Sequence, residues 1–203
     1  MYLQKKLGLE INPDKPMISM VTRLADMKGL DLVERVIEEI VGEDVQLVFL
    51  GTGEQHYENM LRYYEFKYRD KISANIQFDS KLAHQIYAAS DMFLMPSLFE
   101  PCGLSQLIAM RYGTLPIVRE TGGLKDTVSS YNEYTGEGNG FSFATYNAHD
   151  MLFTIKKAIK VYREKPENWK LLMKQAMKTD NSWKQSAKKY KEIYEGLITH
   201  YDK

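Results

Sequence analysis

Three short stretches hold the residues of this chain best suited to chemistry. Ser97-Leu98-Phe99-Glu100-Pro101-Cys102-Gly103-Leu104-Ser105-Gln106 sets a carboxylate in a Pro/Gly loop that runs into a helix. Thr121-Gly122-Gly123 forms a second glycine loop, and Arg23 and Lys28 share a charged loop near the start. A helix start offers free N–H groups and a positive dipole end to a phosphate. A guanidinium fork and a flexible ammonium match the edges of a diphosphate, and an ionised carboxylate accepts hydrogen bonds from sugar hydroxyls. The combination predicts a site for a nucleotide sugar. Arg23 and Lys28 could together hold a diphosphate, and a sugar's hydroxyls suit the Glu100 carboxylate. The plainer readings are solvated surface charge for the two cations and, for Glu100, an acid favoured near a helix N-terminus.

Around these three candidates for catalysis lie candidates for substrate binding. Gly103 lets backbone approach a ligand closely, and Cys102, Leu104 and Ser105 flank it at the expected start of the helix. Cys102 reads more readily as a small residue packed in the loop than as a reactive thiol. Thr121, Gly122 and Gly123 either face the same ligand or make a plain turn. Gly51 and Gly53, after an apolar run, either border a base or ribose or cap a strand. Phe78, at the expected end of a strand over 72–78, is read first as core, with stacking on a base as the alternative.

Several chemistries are absent from the pattern. The third glycine of a GxGxxG fingerprint would fall at His56, which argues against a dehydrogenase. There is no GxxxxGK[ST] and no Asp-x-Asp pair. His56, His84, His149 and His200 are scattered and Cys102 is the single cysteine, so neither a metal site nor a disulfide framework is expected.

Apolar runs at 17–22, 45–50, 72–78, 92–95 and 115–118 alternate with segments of helical spacing. Short continuous apolar strands separated by helices require a parallel sheet covered on both faces. The expected fold is therefore α/β, a doubly wound Rossmann-like layer, in which ligands bind at the carboxyl ends of the strands near the switch in strand order. The loops after Thr22, Leu50, Phe78, Met95 and Val118 should share one rim. From 147 to 203 the pattern is helical only, with apolar faces around Met151 and Ile155, around Trp169 and Leu172, and from Trp183 to Tyr201. Tyr64, Tyr68, Tyr131 and Tyr134 are read as packing.

The 203 residues suit one domain, 44% hydrophobic and 27% charged. Twenty-seven basic residues balance 27 acidic ones, so no overall field attracts nucleic acid or an anionic membrane. With neither a signal peptide nor a long apolar run, the expectation is a cytoplasmic protein.

The string Ser97 to Gln106, with Ala109-Met110-Arg111-Tyr112-Gly113 and Thr121-Gly122-Gly123-Leu124-Lys125-Asp126-Thr127, resembles the signature of bacterial glycogen synthases and plant starch synthases. These are retaining glycosyltransferases of two-domain GT-B fold, and the resemblance, from Lys6 to about Leu197, covers their C-terminal domain. It implies that Arg23 and Lys28 hold the donor diphosphate, Glu100 the glucose hydroxyls and Phe78 the base. It further implies ADP-glucose as donor substrate with no separate cofactor, and a glucan acceptor met mainly by an N-terminal domain. On this reading residues 1–14 are linker-like, the chain alone is inactive, and the Trp183–Tyr201 face is left without its partner. Many related transferases carry a second Glu where this chain has Ile108, a departure shared with the glycogen synthase branch. A stand-alone nucleotide-binding module and another hexosyltransferase are the alternatives, and the residues themselves do not choose between adenine and uracil.

Overall fold

A computed structural model describes residues 1–201 of the chain, with side chains through Ile198; the His200 and Tyr201 side chains considered above lie outside the described residues. Six strands form one parallel sheet, β1 (Met17–Val21), β2 (Gln46–Leu50), β3 (Ile72–Asn75), β4 (Met92–Met95), β5 (Leu115–Arg119) and β6 (Phe141–Phe143), in the order β3-β2-β1-β4-β5-β6. The helices are α1 (Tyr2–Lys6), α2 (Leu30–Gly42), α3 (Gln55–Lys67), α4 (Ser80–Ala89), α5 (Ser105–Tyr112), α6 (Gly122–Thr127), α7 (Ala148–Glu164), α8 (Pro166–Lys178) and α9 (Trp183–Tyr201). This is the doubly wound α/β layer expected from the alternating pattern, and β1 and β4 flank the reversal in strand order.

The unbroken apolar runs are explained by the two-residue period of a strand. Ile18, Met20, Leu47, Phe49, Met92, Leu94, Leu115 and Ile117 pack on one side with α2, α3, α7 and α8. Met17, Val48 and Leu50 pack on the other with α1 and α4, Phe93 with α4 and α5, and Val118 with Leu124 of α6. Each such side chain taken from water contributes roughly 1.5–3 kcal/mol, so the sheet is anchored on both faces. Local chemistry sets the helix ends: the Asp79 carboxylate accepts from the Leu82 N–H at the start of α4, and Asn147 does the same for His149 and Asp150 at α7.

Four expectations are corrected. The third strand ends at Asn75, not Phe78, because the chain leaves the sheet at Ile76 and Asp79 caps the next helix. A sixth strand, Phe141–Phe143, adds to β5; three residues after a glycine-rich loop carry too little periodicity to announce it. Tyr131 is buried, but Tyr134 is 93% exposed and packs nothing. Helix α5 starts at Ser105, so Cys102, Gly103 and Leu104 precede it. The side chains of Trp183, Tyr190, Ile193, Tyr194 and Leu197 on α9 are exposed. Among the described residues no helix is long and apolar enough to cross a membrane.

Candidate active site

The strand tips are stitched to one another by the backbone of the loops that follow them. After β1, the Leu24 N–H donates to the Thr52 carbonyl (2.9 Å) and its carbonyl accepts from the Glu54 N–H (2.7 Å), tying this loop to the one after β2. Gly51 and Gly53 make that contact possible, since a Cβ on either would strike the carbonyl oxygen of Thr22 or Leu24. The Leu98 N–H donates to the Met27 carbonyl (3.0 Å), joining the loops after β1 and β4. The Gly123 N–H donates to the Pro101 carbonyl (3.0 Å), joining those after β4 and β5.

Lys28 ends a short turn, Asp26–Lys28, fixed by the buried Tyr57, whose hydroxyl donates to the Asp26 carboxylate at 2.6 Å. Burial, then that carboxylate, pushes the Tyr57 phenol well above its ordinary value, so it stays a donor. From this turn the Lys28 Nζ reaches the Glu100 carboxylate at 2.6 Å, and the Ser97 hydroxyl donates to the same oxygen at 3.4 Å. The two charged side chains are 19% and 11% exposed, so the pair is largely withdrawn from water. Arg23 is exposed, and among the described residues its guanidinium reaches the Met27 sulfur at 3.4 Å.

Arg23, Lys28, Ser97, Glu100, Gly103, Leu104 and Ser105 line one cleft of about 280 Å3, floored by Met20, Val21, Leu94 and Met95. It opens where β1 and β4 end, at the reversal in strand order. The start of α5 borders it without a side-chain cap, which leaves a helix N-terminus facing an anion-sized space beside two cations.

The remaining sequence candidates lie off this cleft. Gly51 and Gly53 pack on the β1 loop. Thr121 occupies the N-cap position of α6 without a side-chain capping bond, and Gly122 and Gly123 are its first turn rather than an open loop. A Cβ there would collide with the carbonyl oxygens of Glu100 and Cys102, so this pair supports the Glu100 loop from behind. Cys102 is exposed, not packed. Phe78 is 92% exposed between β3 and α4, which rules out the core role read first from sequence. A wider depression lined by Asp31, Glu34, Arg35, Glu38, Glu39 and Tyr64 lies along α2 and α3.

Two residues that sequence reading missed hold the site together. Arg119, the last residue of β5, donates from Nε to the Ser97 carbonyl (2.8 Å) and from Nη2 to that of Leu98 (2.5 Å), with Tyr146 under its guanidinium. Gln106 is fully buried, and its Nε2 reaches the carbonyls of Cys102 (3.1 Å) and Gly103 (3.0 Å) and the Thr127 hydroxyl (3.2 Å). A polar residue inside a short apolar helix was the available signal for Gln106. Among the described residues, no group of three or more His, Cys, Asp or Glu side chains could hold a metal ion.

Comparison with known proteins identifies relatives of the chain and of its fold. The glycogen synthase of Clostridium botulinum (strain Eklund 17B / Type B) is 58% identical over 195 residues, 96% of this chain and 41% of its own length. That of Clostridium perfringens (strain 13 / Type A) is 60% identical over 196 residues, 97% of this chain and 40% of its own. The chain thus spans about two fifths of the curated relatives it matches. The catalytic domain of starch synthase IV from Arabidopsis thaliana, solved bound to ADP and acarbose, superposes with a TM-score of 0.87 at 37% identity, over 98% of this chain and 42% of that one. Sucrose-phosphate synthase from Thermosynechococcus elongatus shares the fold at a TM-score of 0.70 and 21% identity, over 97% of this chain and 48% of that one. Residues 4–176 match the family model itself, and with its parallel sheet of GT-B type the chain belongs to the glycosyl transferases group 1.

Proposed function

We propose that this chain is the donor-binding part of a glycogen synthase, and that the full-length protein transfers glucose from ADP-glucose to the non-reducing end of an α-1,4-glucan with retention. The observation that carries the reading is the meeting of Arg23, Lys28 and Glu100 on one cleft beside the uncapped start of α5. The similarity to glycogen synthases, and to a starch synthase domain solved with ADP, supports the choice of donor.

In this reading the diphosphate lies between Arg23, Lys28 and the first N–H groups of α5. As the bond from the anomeric carbon to phosphate breaks, negative charge grows on the leaving diphosphate, and cations already aimed there lower the barrier. Glu100 accepts hydrogen bonds from glucose hydroxyls and fixes the ring. Phe78, exposed on the rim, offers its face to the base, while Gly122, Gly123, Gln106 and Arg119 hold the loops. Because Arg23 and Lys28 supply the positive charge, the donor is the only small molecule the scheme requires. The glucan is met mainly by the rest of the full-length protein, which closes over the donor and excludes water.

Calorimetric titration with ADP and AMP, together with a labelled glucose transfer assay, tests the reading. ADP should bind this chain weakly and AMP more weakly still, with transfer by the full-length protein and none by the chain alone. Equal affinity for ADP and AMP would remove the diphosphate from the cleft, and glucan synthesis by the chain alone would overturn its assignment as a part.

A further inference from the structure

The Lys28–Glu100 ion pair has a consequence for turnover that rests on the donor site proposed above. We propose that it is a product-release device: the Glu100 carboxylate and the β-phosphate of the nucleotide compete for the Lys28 ammonium, and the sugar decides which of them has it.

Both partners are fixed from behind. Lys28 stands on a turn held by Tyr57, followed by Gly29, which lies tight against the Pro96 carbonyl. Glu100 stands on a loop held by Arg119 through Ser97 and Leu98, and by Gly122 and Gly123. With neither backbone free to retreat, the ammonium and the carboxylate stay within reach of each other at 2.6 Å, largely out of water. A charge-assisted bond in such a place is about twice as strong as a neutral one, and an ionised group left without a partner there is costly.

A nucleotide sugar compensates both partners at once, because its phosphate takes Lys28 and its hydroxyls donate to Glu100. A bare diphosphate compensates only Lys28. It leaves Glu100 without its cation. Once glucose has passed to the acceptor, the carboxylate therefore takes the ammonium back and the diphosphate is loosened. Glu100 thus sets a preference for nucleotide sugar over nucleotide, in addition to holding the glucose.

Calorimetry on this chain with ADP and with ADP-glucose tests the exchange in four forms: wild type, Glu100→Gln, Lys28→Met and the double variant. Wild type should bind ADP-glucose more tightly than ADP. Glu100→Gln, which keeps the shape and removes the charge, should bind ADP about tenfold more tightly than wild type and lose the preference for the sugar nucleotide. In the Lys28→Met background the same substitution should change ADP affinity less than about twofold, since there is no ammonium left to free. If wild type binds ADP and Glu100→Gln binds it no better, the exchange is overturned while the donor site stands. A tenfold gain that survives in Lys28→Met would mean simple repulsion between carboxylate and phosphate, and would also overturn it. Absence of ADP binding in all four forms would remove both the exchange and the donor site.

Discussion

The two ends of the sheet use charge in opposite ways. At the edge where the strands begin, Lys15 has a side chain only 7% exposed and lies between Glu10 and Asp44, the latter at 2.9 Å. Gln46, fully buried, accepts from the Gln4 amide at 2.9 Å, and the Asp91 carboxylate accepts from the Met17 N–H at 2.9 Å. There, the buried Gln4 Oε1 apart, these polar groups bond to one another and knit the N-terminal segment to the sheet. At the edge where the strands end, Arg23 extends into solvent, α5 starts without a cap, and Lys28 and Glu100 pair across the mouth of a cleft. Polar groups that satisfy each other stabilise a fold. Those aimed into a shared space, on loops tied to one another behind them, are arranged for a ligand.

Substitutions at the two ends should therefore separate activity from stability. The largest effect is expected for Arg23→Ala or Lys28→Ala in the full-length protein, where kcat should fall by about a hundredfold or more, a larger factor than any rise in KM for the donor. A loss confined to KM would assign them to ground-state binding. Lys15→Met should leave kcat unchanged, and a large drop there would erase the contrast between the edges. Next in size, Gly123→Val forces a side chain into the Cys102 backbone; a loss of about 2–3 kcal/mol is expected in urea unfolding, with weaker ADP binding. Arg119→Lys keeps the charge but not the fork that spans two carbonyls, and should lower kcat roughly tenfold while costing about 1 kcal/mol of stability.

The smallest effect concerns pH. Hydrogen bonding to Lys15 holds the Glu10 and Asp44 carboxyls below their ordinary values. The folded chain then keeps these protons off to lower pH than the unfolded chain does. Their contribution is complete above the unfolded carboxylate values, near about 4, and is lost as pH falls through the lower folded ones. Asp91 has the opposite sign, because burial raises its carboxyl, so it favours the fold more as pH falls toward its unfolded value. Lys15→Met should flatten the loss of stability in acid, and Asp91→Asn should steepen it. Urea midpoints measured from pH 3 to 7 would show both, and identical slopes in all forms would deny the charge network its role.

The layer and its rim were legible in the sequence because each depends on local pattern. Continuous apolar strands need cover on both faces, and the loops after them hold the glycines and charges. That logic put Arg23, Lys28 and Glu100 on one rim, and the family resemblance turned the two cations from surface charge into diphosphate ligands. What supports them was not legible. The reach of Arg119 to Ser97 and Leu98 exists only because β5 lies beside β4, a parallel pairing that no local spacing encodes. The glycines of α6 were legible as special but not as packing, since the surface they fit is the back of another loop. Phe78 read as core because an aromatic after an apolar strand is usually buried, and only the early end of β3 carries it into solvent.

The most direct measurement of the donor cleft is an ADP titration of this chain followed residue by residue through amide NMR shifts. The largest changes should fall on Arg23, Lys28, Gly103, Leu104 and Ser105, with Lys15, Gln46 and Asp91 at the opposite edge unmoved. Shifts centred instead on that edge, or on the acidic depression between α2 and α3, would contradict the assignment of the β1–β4 cleft as the donor site.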